Sequence, residues 1–597
     1  MCGIAGIIGF HPHAQDLARS MQQCMVHRGP DSEGCFHNAW ASLAVRRLRI
    51  VDHERGDQPI KNEDGSVIAV LNGEIYNDTD LRHTLQSCGH TFFSRCDTEV
   101  LVHGYEQWGI DGLLQRLDGM FSFALLDIHK RRAFIARDVF GEKPLYYIAG
   151  QKYFAFASEM QAMLSARVIP MQIDAASLHD YFRLHYVPGP STILQSVHKL
   201  QPGHVITIDG NTGVWHSRCF AKIHPVKTQD SLPDAATTVR ALVTKSVMDR
   251  LRADVPVGTV LSGGLDSSII TAIAAKEIPG IPVFNMGFSE EAFDESSAAR
   301  TLAQHVGAVL HPHTLTPEEG LRTLPKVIAS MDEPCGDQAL LPLYLLAHDA
   351  KTTVRVLLTG DGADEIFGGY AYYAHAGQTQ NFLQNLWREK EVTDSGFPLV
   401  SSVAQRQFLL SAPKKYHRFR MPNFRRNDAL LMAQEEDIRT WLPDDLLMKT
   451  DKMTMASSIE ARCPFLSVPL AEYALGLPSH YKRTGTVSKV VLREAFCDLL
   501  PPEIYRRPKQ AFAVPIGTWL RGHWRSFAED VFRLQQDDGC RPNACIALLQ
   551  EHMKGADCAR LLYAILAYRL WFHEHSHSGN KAPVAVSPST CSRVLAR

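Results

Sequence analysis

Two stretches of this chain combine reactive side chains with the backbone freedom to use them. VLSGGLDSSII (260–270) sets two glycines and three serines between an apolar run and a run of helix formers, and LLTGDGADEIFGGY (357–370) sets Asp361, Asp364 and Glu365 among four glycines. Glycine lets a backbone come close to a ligand, and N–H groups at a helix start, aided by serine hydroxyls, bind anions. The first loop lacks the lysine of a GxxxxGK[ST] phosphate loop, so it suits a pyrophosphate rather than a transferred γ-phosphate. Asp266 inside it makes sense with a divalent cation between carboxylate and phosphate. If both loops leave neighbouring strands of one sheet, they converge on a single Mg-ATP site. The third candidate is Cys2, directly behind the initiator methionine. With the methionine removed it carries a thiol and an α-amine of pKa near ~7.7–8.0, nucleophile and base in one residue. On its own, a cysteine in the apolar run MCGIAGIIGF is a packed small hydrophobe.

The elements that must position these groups divide the chain in two, and the whole reads as α/β. Residues 2–210 are rich in short alternating or apolar runs bounded by turns, among them SLAVRRLRIV, SVIAVLNGEIY and HVITIDG, which predict stacked antiparallel sheets with helices outside. Helices are expected at DTEVLVHGYEQWG, with Asp97 and Thr98 as capping types, and at DAASLHDYFRL. Periodicity fades over 211–234, which reads as a linker. From 235 to 572 strands alternate with helices, the pattern of a doubly wound parallel sheet, with a helical periphery from about 371. Residues 573–597, including His573, His575 and His577, read as a flexible tail rather than a metal site.

Composition narrows the function. A chain of 597 residues exceeds one hydrophobic core, and a net charge of -2 gives no general pull on nucleic acid or anionic lipid. No apolar run approaches the roughly 18 residues that span a bilayer, and no targeting segment is visible, so a cytoplasmic location is expected. The 13 cysteines form no CxxC pair and read as reduced thiols.

MCGIAG, HRGPD (27–31), RRLRIVD (46–52), LNGEIYN (71–77) and CDTEV (96–100) stand in the order and spacing of the class II glutamine amidotransferases, the N-terminal-nucleophile glutaminases, which the first half resembles. The resemblance implies that Cys2 attacks glutamine, and that the Asn72 side-chain amide and the Gly73 N–H receive the oxyanion. Arg47 would bind the α-carboxylate, with Leu48, Arg49, Ile50 and Val51 lining the same segment, and Glu74 and Asp97 would bind the α-ammonium. Asp97 has a competing role as a helix N-cap. Arg28 and Asp31 read as supports for the loop near Cys2, and the Arg46 and Arg49 side chains as surface or structural.

SGGLDSS resembles the motif of the ATP pyrophosphatases, and the two halves together resemble the glutamine-hydrolysing asparagine synthetase family from residue 1 to about 530, with further matches at 446–466 and 487–496. This implies a nucleotide site in which Leu261 and Met286 flank adenine through backbone contacts. Ser262, Gly263, Gly264, Asp266, Ser267 and Ser268 would hold the pyrophosphate, and Thr359 and Gly360 would touch the nucleotide. Asp266 and Asp364 would hold Mg²⁺, Lys489 would stabilise charge during adenylation, and Lys452 would reach phosphate. Asp361 stands where the enterobacterial and animal members carry a glutamate implicated in forming the adenylate and admitting ammonia. The implied partners are glutamine, ATP and a carboxylate, aspartate first and a sugar acid or secondary-metabolite precursor second, with a homodimer as the assembly. A β-lactam synthetase-like ring closure is the third reading; those cyclases lack the N-terminal cysteine, so Cys2 argues against it. Because ammonia is mostly protonated in neutral water, an apolar tunnel between the halves is expected.

Overall fold

The computed structural model describes residues 1–150, 152–376, 400–411, 428–507 and 513–577. The apolar runs of the first half pair into two six-stranded antiparallel sheets. In one, Cys2–Gly9 lies between Ala41–Arg47 and Tyr153–Ala157, which puts Cys2 directly opposite Arg47. In the other, Val67–Ile75 pairs with Gly119–Asp127, with Asn72 opposite Ser122 and Gly73 opposite Phe121. The inner faces meet through Ile4, Ile8, Val45, Ile68, Val70 and Ile135, so the strand that starts with Cys2 and the strand that carries Asn72 share one core. Helix Ala14–Cys24 covers the first sheet, and Asp78–Ser87 and Glu99–Leu114 cover the second.

Two sequence expectations change here. Thr98 holds the N-cap position of Glu99–Leu114 without a side-chain cap, and the Asp97 carboxylate instead accepts the Ile75 N–H at 2.8 Å, so Asp97 is not the cap. The segment expected as a linker from 211 begins as a strand: Trp215–Cys219 pairs with His204–Asp209 at the edge of the second sheet. An edge strand needs one bonded neighbour and can keep polar, exposed side chains, which is why its composition resembles a linker. The connection proper spans 220–231, where Ser231 caps helix Leu232–Leu251 by accepting from the Asp234 N–H.

The second half holds five parallel strands in the order Val309–Leu315, Pro282–Phe288, Val257–Val260, Val356–Leu358 and Glu460–Arg462. Chain direction across the sheet reverses between Val257–Val260 and Val356–Leu358, the switch point at which such sheets bind ligands. Both glycine-rich loops leave these two neighbouring strand ends, as expected. The fifth strand, three residues long, has no sequence counterpart among the expected elements. The last helix, Ala559–His577, continues through residues expected to lie in the tail, because Leu562, Ile565, Leu566 and Trp571 are fully buried and the His575 ring stacks on Trp571 at 4.8 Å. Residues 578–597 of the expected tail lie outside the described residues.

Candidate active sites

The strand register assembles the first site. Cys2 is buried, with its N–H donating to Asn72 Oδ1 at 3.1 Å and Gln58 Nε2 lying 3.7 Å from its sulfur. Burial pushes the thiol above its ordinary value, and the Met1 ammonium and Arg47 pull it partly back. Gly73 follows Asn72 with φ +150°, and a Cβ there would meet the Met120 carbonyl oxygen at 2.0 Å, so only glycine brings this N–H so close to the neighbouring strand.

Arg47, opposite Cys2, is clamped in place: its guanidinium donates to Asp57 and to the Val51 and Asp52 carbonyls, each at 2.8 Å. Asp31 accepts the Arg49 N–H at 2.9 Å, which gives it the supporting role expected of it, and the Arg49 side chain reaches Asp57 on the protein surface. Leu48 and Ile50 bury their side chains in the core of the second half, leaving backbone to face the site.

Glu74 and Asp97 lie close together and buried. Burial, and then the charge of Asp97, raise Glu74 well above the usual carboxylate range despite Arg462. Burial likewise lifts Asp97 to about 6, against the Ile75 N–H that it accepts. Two crowded carboxylates in an apolar wall are the environment that a bound ammonium relieves.

A second set of contacts joins the halves directly behind this site. Arg462 lies 3.4 Å from Glu74 and 2.7 Å from Glu460, and Glu460 takes the Met1 ammonium at 2.6 Å. Burial alone would raise Glu460, but the ammonium and Arg462 lower it to about 2. Arg28 donates to the Cys2 carbonyl at 3.1 Å and to Asp451 at 2.7 Å, so the expected support of the Cys2 loop is also a bridge to the other half. Lys452 is buried in ion-pair contact with Glu159 and Asp332, so its ammonium is turned to these carboxylates rather than to the phosphate loop as expected.

The second site forms where the glycine-rich loops meet. Gly264 starts helix Leu265–Glu277, and Ser262 and Ser267 bond each other through their hydroxyls at 3.1 Å. Lys489 Nζ sits between two carboxylates, 2.5 Å from Asp266 and 2.7 Å from Asp364. Its backbone adopts φ +57°, ψ +41°, a left-handed conformation that costs a side-chain-bearing residue about 1–2 kcal/mol and is found where function requires it. A Cβ on Gly369 would lie 1.7 Å from Asp364 Oδ1 and 2.4 Å from Lys489 Cε, so the cradle of this cluster is built on a bare backbone.

Asp361 accepts hydroxyls from Thr359 at 2.8 Å and Thr450 at 2.9 Å. Gly360 lies against Asp266 and Ser267, bringing the two loops together. Asp266 Oδ1 and Ser268 Oγ are buried without a hydrogen-bond partner among the described residues. Oxygen donors, an orphaned buried carboxylate oxygen and a neighbouring carboxylate fit a hard divalent cation such as Mg²⁺. The Leu261 N–H donates to the Phe284 carbonyl within the sheet at 2.9 Å, and its own carbonyl accepts from Asn285 at 2.8 Å. Met286 is buried on the adjacent strand.

Two family models divide the chain between them: the glutamine amidotransferase domain over residues 1–217 and asparagine synthase over residues 238–573. The chain is 34% identical over 612 residues to asparagine synthetase [glutamine-hydrolyzing] 1 of Bacillus subtilis, covering 96% of both chains. This chain belongs to the asparagine synthase family. It is 30% identical to asparagine synthetase [glutamine-hydrolyzing] 3 of the same organism, over 86% of this chain and 87% of that one, and 29% identical to the Brassica oleracea enzyme, over 89% and 81%.

Several residues near the sites of this chain escaped the sequence reading. Gln58 grips both backbone groups of Leu71, donating to its carbonyl at 3.2 Å and accepting its N–H at 2.6 Å, while its amide faces the Cys2 sulfur. Its only sequence signal is a polar residue before Pro59, which marks a turn and nothing more. Thr450, Glu460 and Arg462 lie inside the 446–466 match, but their types alone give no role. No helix of the described residues is long and apolar enough to cross a membrane.

Proposed function

We propose that this chain makes asparagine from aspartate, taking nitrogen from glutamine and activation from ATP. Support comes from one observation above others: strand Glu460–Arg462 belongs to the sheet of the proposed nucleotide site, yet its Arg462 side chain pairs with Glu74 at the proposed glutamine site. Its last residue also accepts the Thr359 N–H at 2.9 Å, one residue before the loop that carries Asp361. A three-residue strand therefore touches both sites.

In this reading, with the initiator methionine removed, the Cys2 amine takes the thiol proton and the sulfur attacks the glutamine side-chain carbonyl. Asn72 and the Gly73 N–H receive the developing oxyanion, while Arg47, Glu74 and Asp97 hold the amino-acid end. Ammonia leaves, and water releases glutamate from the thioester. At the second site the Ser262–Ser268 loop holds the pyrophosphate end of ATP, and the acceptor carboxylate attacks the α-phosphorus to give an acyl-adenylate and pyrophosphate. Mg²⁺ held by Asp266 and Asp364 would neutralise phosphate charge. Lys489 balances the charge that builds on the departing pyrophosphate, and ammonia displaces AMP from the adenylate. Tyr76 and Met120 of the first half meet Met455 of the second in a buried apolar cluster that also holds Met1, so removal of the initiator methionine would open apolar space between the halves on the route proposed for ammonia.

A second reading, amidation of another carboxylate, draws on Asp361, which is one methylene shorter than the glutamate of the enterobacterial and animal members. Pyrophosphate release with ATP, Mg²⁺, glutamine and a panel of acids separates the two. Turnover with aspartate and one glutamate per pyrophosphate is expected; turnover with another acid and none with aspartate contradicts the assignment.

A further inference from the structure

Away from both sites, His90, His103 and Glu106 place one ligating atom each within 4.8 Å of one another. Nδ1 of His103 lies 3.3 Å from Glu106 Oε2, and Nδ1 of His90 lies 3.9 Å from the same oxygen. Glu63 Oε2 lies 3.8 Å from His103 Nδ1, in reach of a fourth position. In a tetrahedral site with ligand bonds of about 2.0–2.2 Å, neighbouring ligand atoms stand about 3.3–3.6 Å apart. The His103–Glu106 pair already stands at this spacing, and the His90 and Glu63 atoms lie a few tenths of an ångström beyond it from their nearest partner.

The outer atoms carry the argument further. His103 turns Nε2 toward Glu99 at 3.6 Å, and Glu99 is itself held by the N–H groups of Phe93 and Ser94. His90 turns Nε2 to Gln107 Oε1 at 3.1 Å. The second oxygen of Glu106 accepts from Asn62 Nδ2 at 2.8 Å. His90 and Glu106 are thus each fixed from behind by a hydrogen bond, and His103 has a carboxylate within ion-pair distance behind it; a carboxylate behind a ligating histidine is the usual support of a metal site. Glu106 lies one helical turn beyond His103, on the same face of Glu99–Leu114.

We propose that His90, His103 and Glu106, with Glu63 as a fourth ligand, bind a divalent transition-metal ion of the Zn²⁺ kind. Imidazole nitrogens favour such an ion over Mg²⁺ or Ca²⁺. The ion staples the turn at 62–66, the loop at 88–94 and helix Glu99–Leu114, three segments that flank the strand carrying Asn72 and Glu74. Its role is structural, since nothing in the cluster reaches Cys2.

Titration of the chelator-treated, full-length protein with Co²⁺ tests this. One equivalent is expected to bind with the visible d–d bands of a tetrahedral nitrogen–oxygen site, to be displaced by Zn²⁺, and to raise the melting temperature. His90→Ala and Glu106→Gln, both at partly exposed positions, are expected to weaken Zn²⁺ binding by at least ~100-fold, with circular dichroism confirming the fold and His90→Asn as a milder variant. Binding that survives both substitutions, a cobalt–thiolate charge-transfer band, or affinity no tighter than millimolar overturns the proposal.

Discussion

The Arg462 guanidinium, carried by the sheet of the nucleotide site, lies 3.4 Å from the Glu74 carboxylate in the glutamine site. Arg462 also donates to the Arg250 and Arg252 carbonyls, at 2.8 and 2.7 Å, so its position is fixed by its own half while its charge serves the other. Without it, Glu74 would share a buried region with Asp97 and Glu460 and lose the guanidinium that faces it. Arg462→Met is therefore expected to raise the glutamine KM by roughly 10- to 100-fold, the scale of a charge-assisted hydrogen bond of about 1.5–3 kcal/mol. Ammonia-dependent synthesis is expected to change far less. An unchanged glutamine KM in a folded variant contradicts this role.

Asp97 sets a pH limit. Its folded-state pKa, lifted by burial to about 6, lies above the ordinary carboxylate value, so the charged form that binds ammonium is populated above about pH 6 and lost below it. Glutamine-dependent kcat/KM is expected to fall as pH drops through 6, approaching tenfold per unit below it. Asp97→Asn is expected to raise the glutamine KM and to alter this limb without abolishing it, since Glu74 is raised as well. A profile flat from pH 7 to 5 in the wild-type enzyme contradicts the assignment.

At the nucleotide site the expectation is selective loss. Asp266→Asn, Asp364→Asn and Lys489→Met are each expected to reduce pyrophosphate release by ~10²-fold or more, the scale of removing one electrostatic stabiliser. Gly369→Ala reaches the same end by sterics, since its methyl would overlap the Asp364 carboxylate. Glutaminase turnover without ATP serves as the control and is expected to persist in all four. Parallel loss of both activities would point to misfolding rather than to a nucleotide site.

Gln58 holds Leu71, the residue before Asn72, and faces the Cys2 sulfur. Gln58→Leu is expected to lower glutaminase kcat by roughly 10- to 100-fold, because it leaves two backbone groups of Leu71 without partners and moves the oxyanion donors. Steady-state glutamate release measures this, with ammonia-dependent pyrophosphate release as the internal reference.

Much of this arrangement is legible in the residue string. Cys2, Arg47, Asn72, Gly73, Glu74 and Asp97 come from four separate motifs, and strand register brings them together as the motif order implies. SGGLDSS and GDGADE lie where strand-to-helix patterning puts them. The rest stayed hidden for physical reasons. Strand Glu460–Arg462 is too short to show a period, and its charged residues look like surface until the other half buries them. Trp215–Cys219 is a polar edge strand and reads as linker. Lys452 reads as reaching phosphate through the family resemblance of DKMTMA, whereas packing turns it inward to Glu159 and Asp332. Such pairings depend on which surfaces meet, and periodicity carries no record of that.

The central claim is that one chain takes nitrogen at Cys2 and spends ATP at the Asp266–Asp364–Lys489 cluster. Its most direct test is pyrophosphate release by Cys2→Ala with ATP, Mg²⁺ and aspartate, supplied with either glutamine or an ammonium salt. The variant is expected to release pyrophosphate at near wild-type rates with ammonium and at background with glutamine; glutamine-dependent release at the wild-type rate would contradict the account.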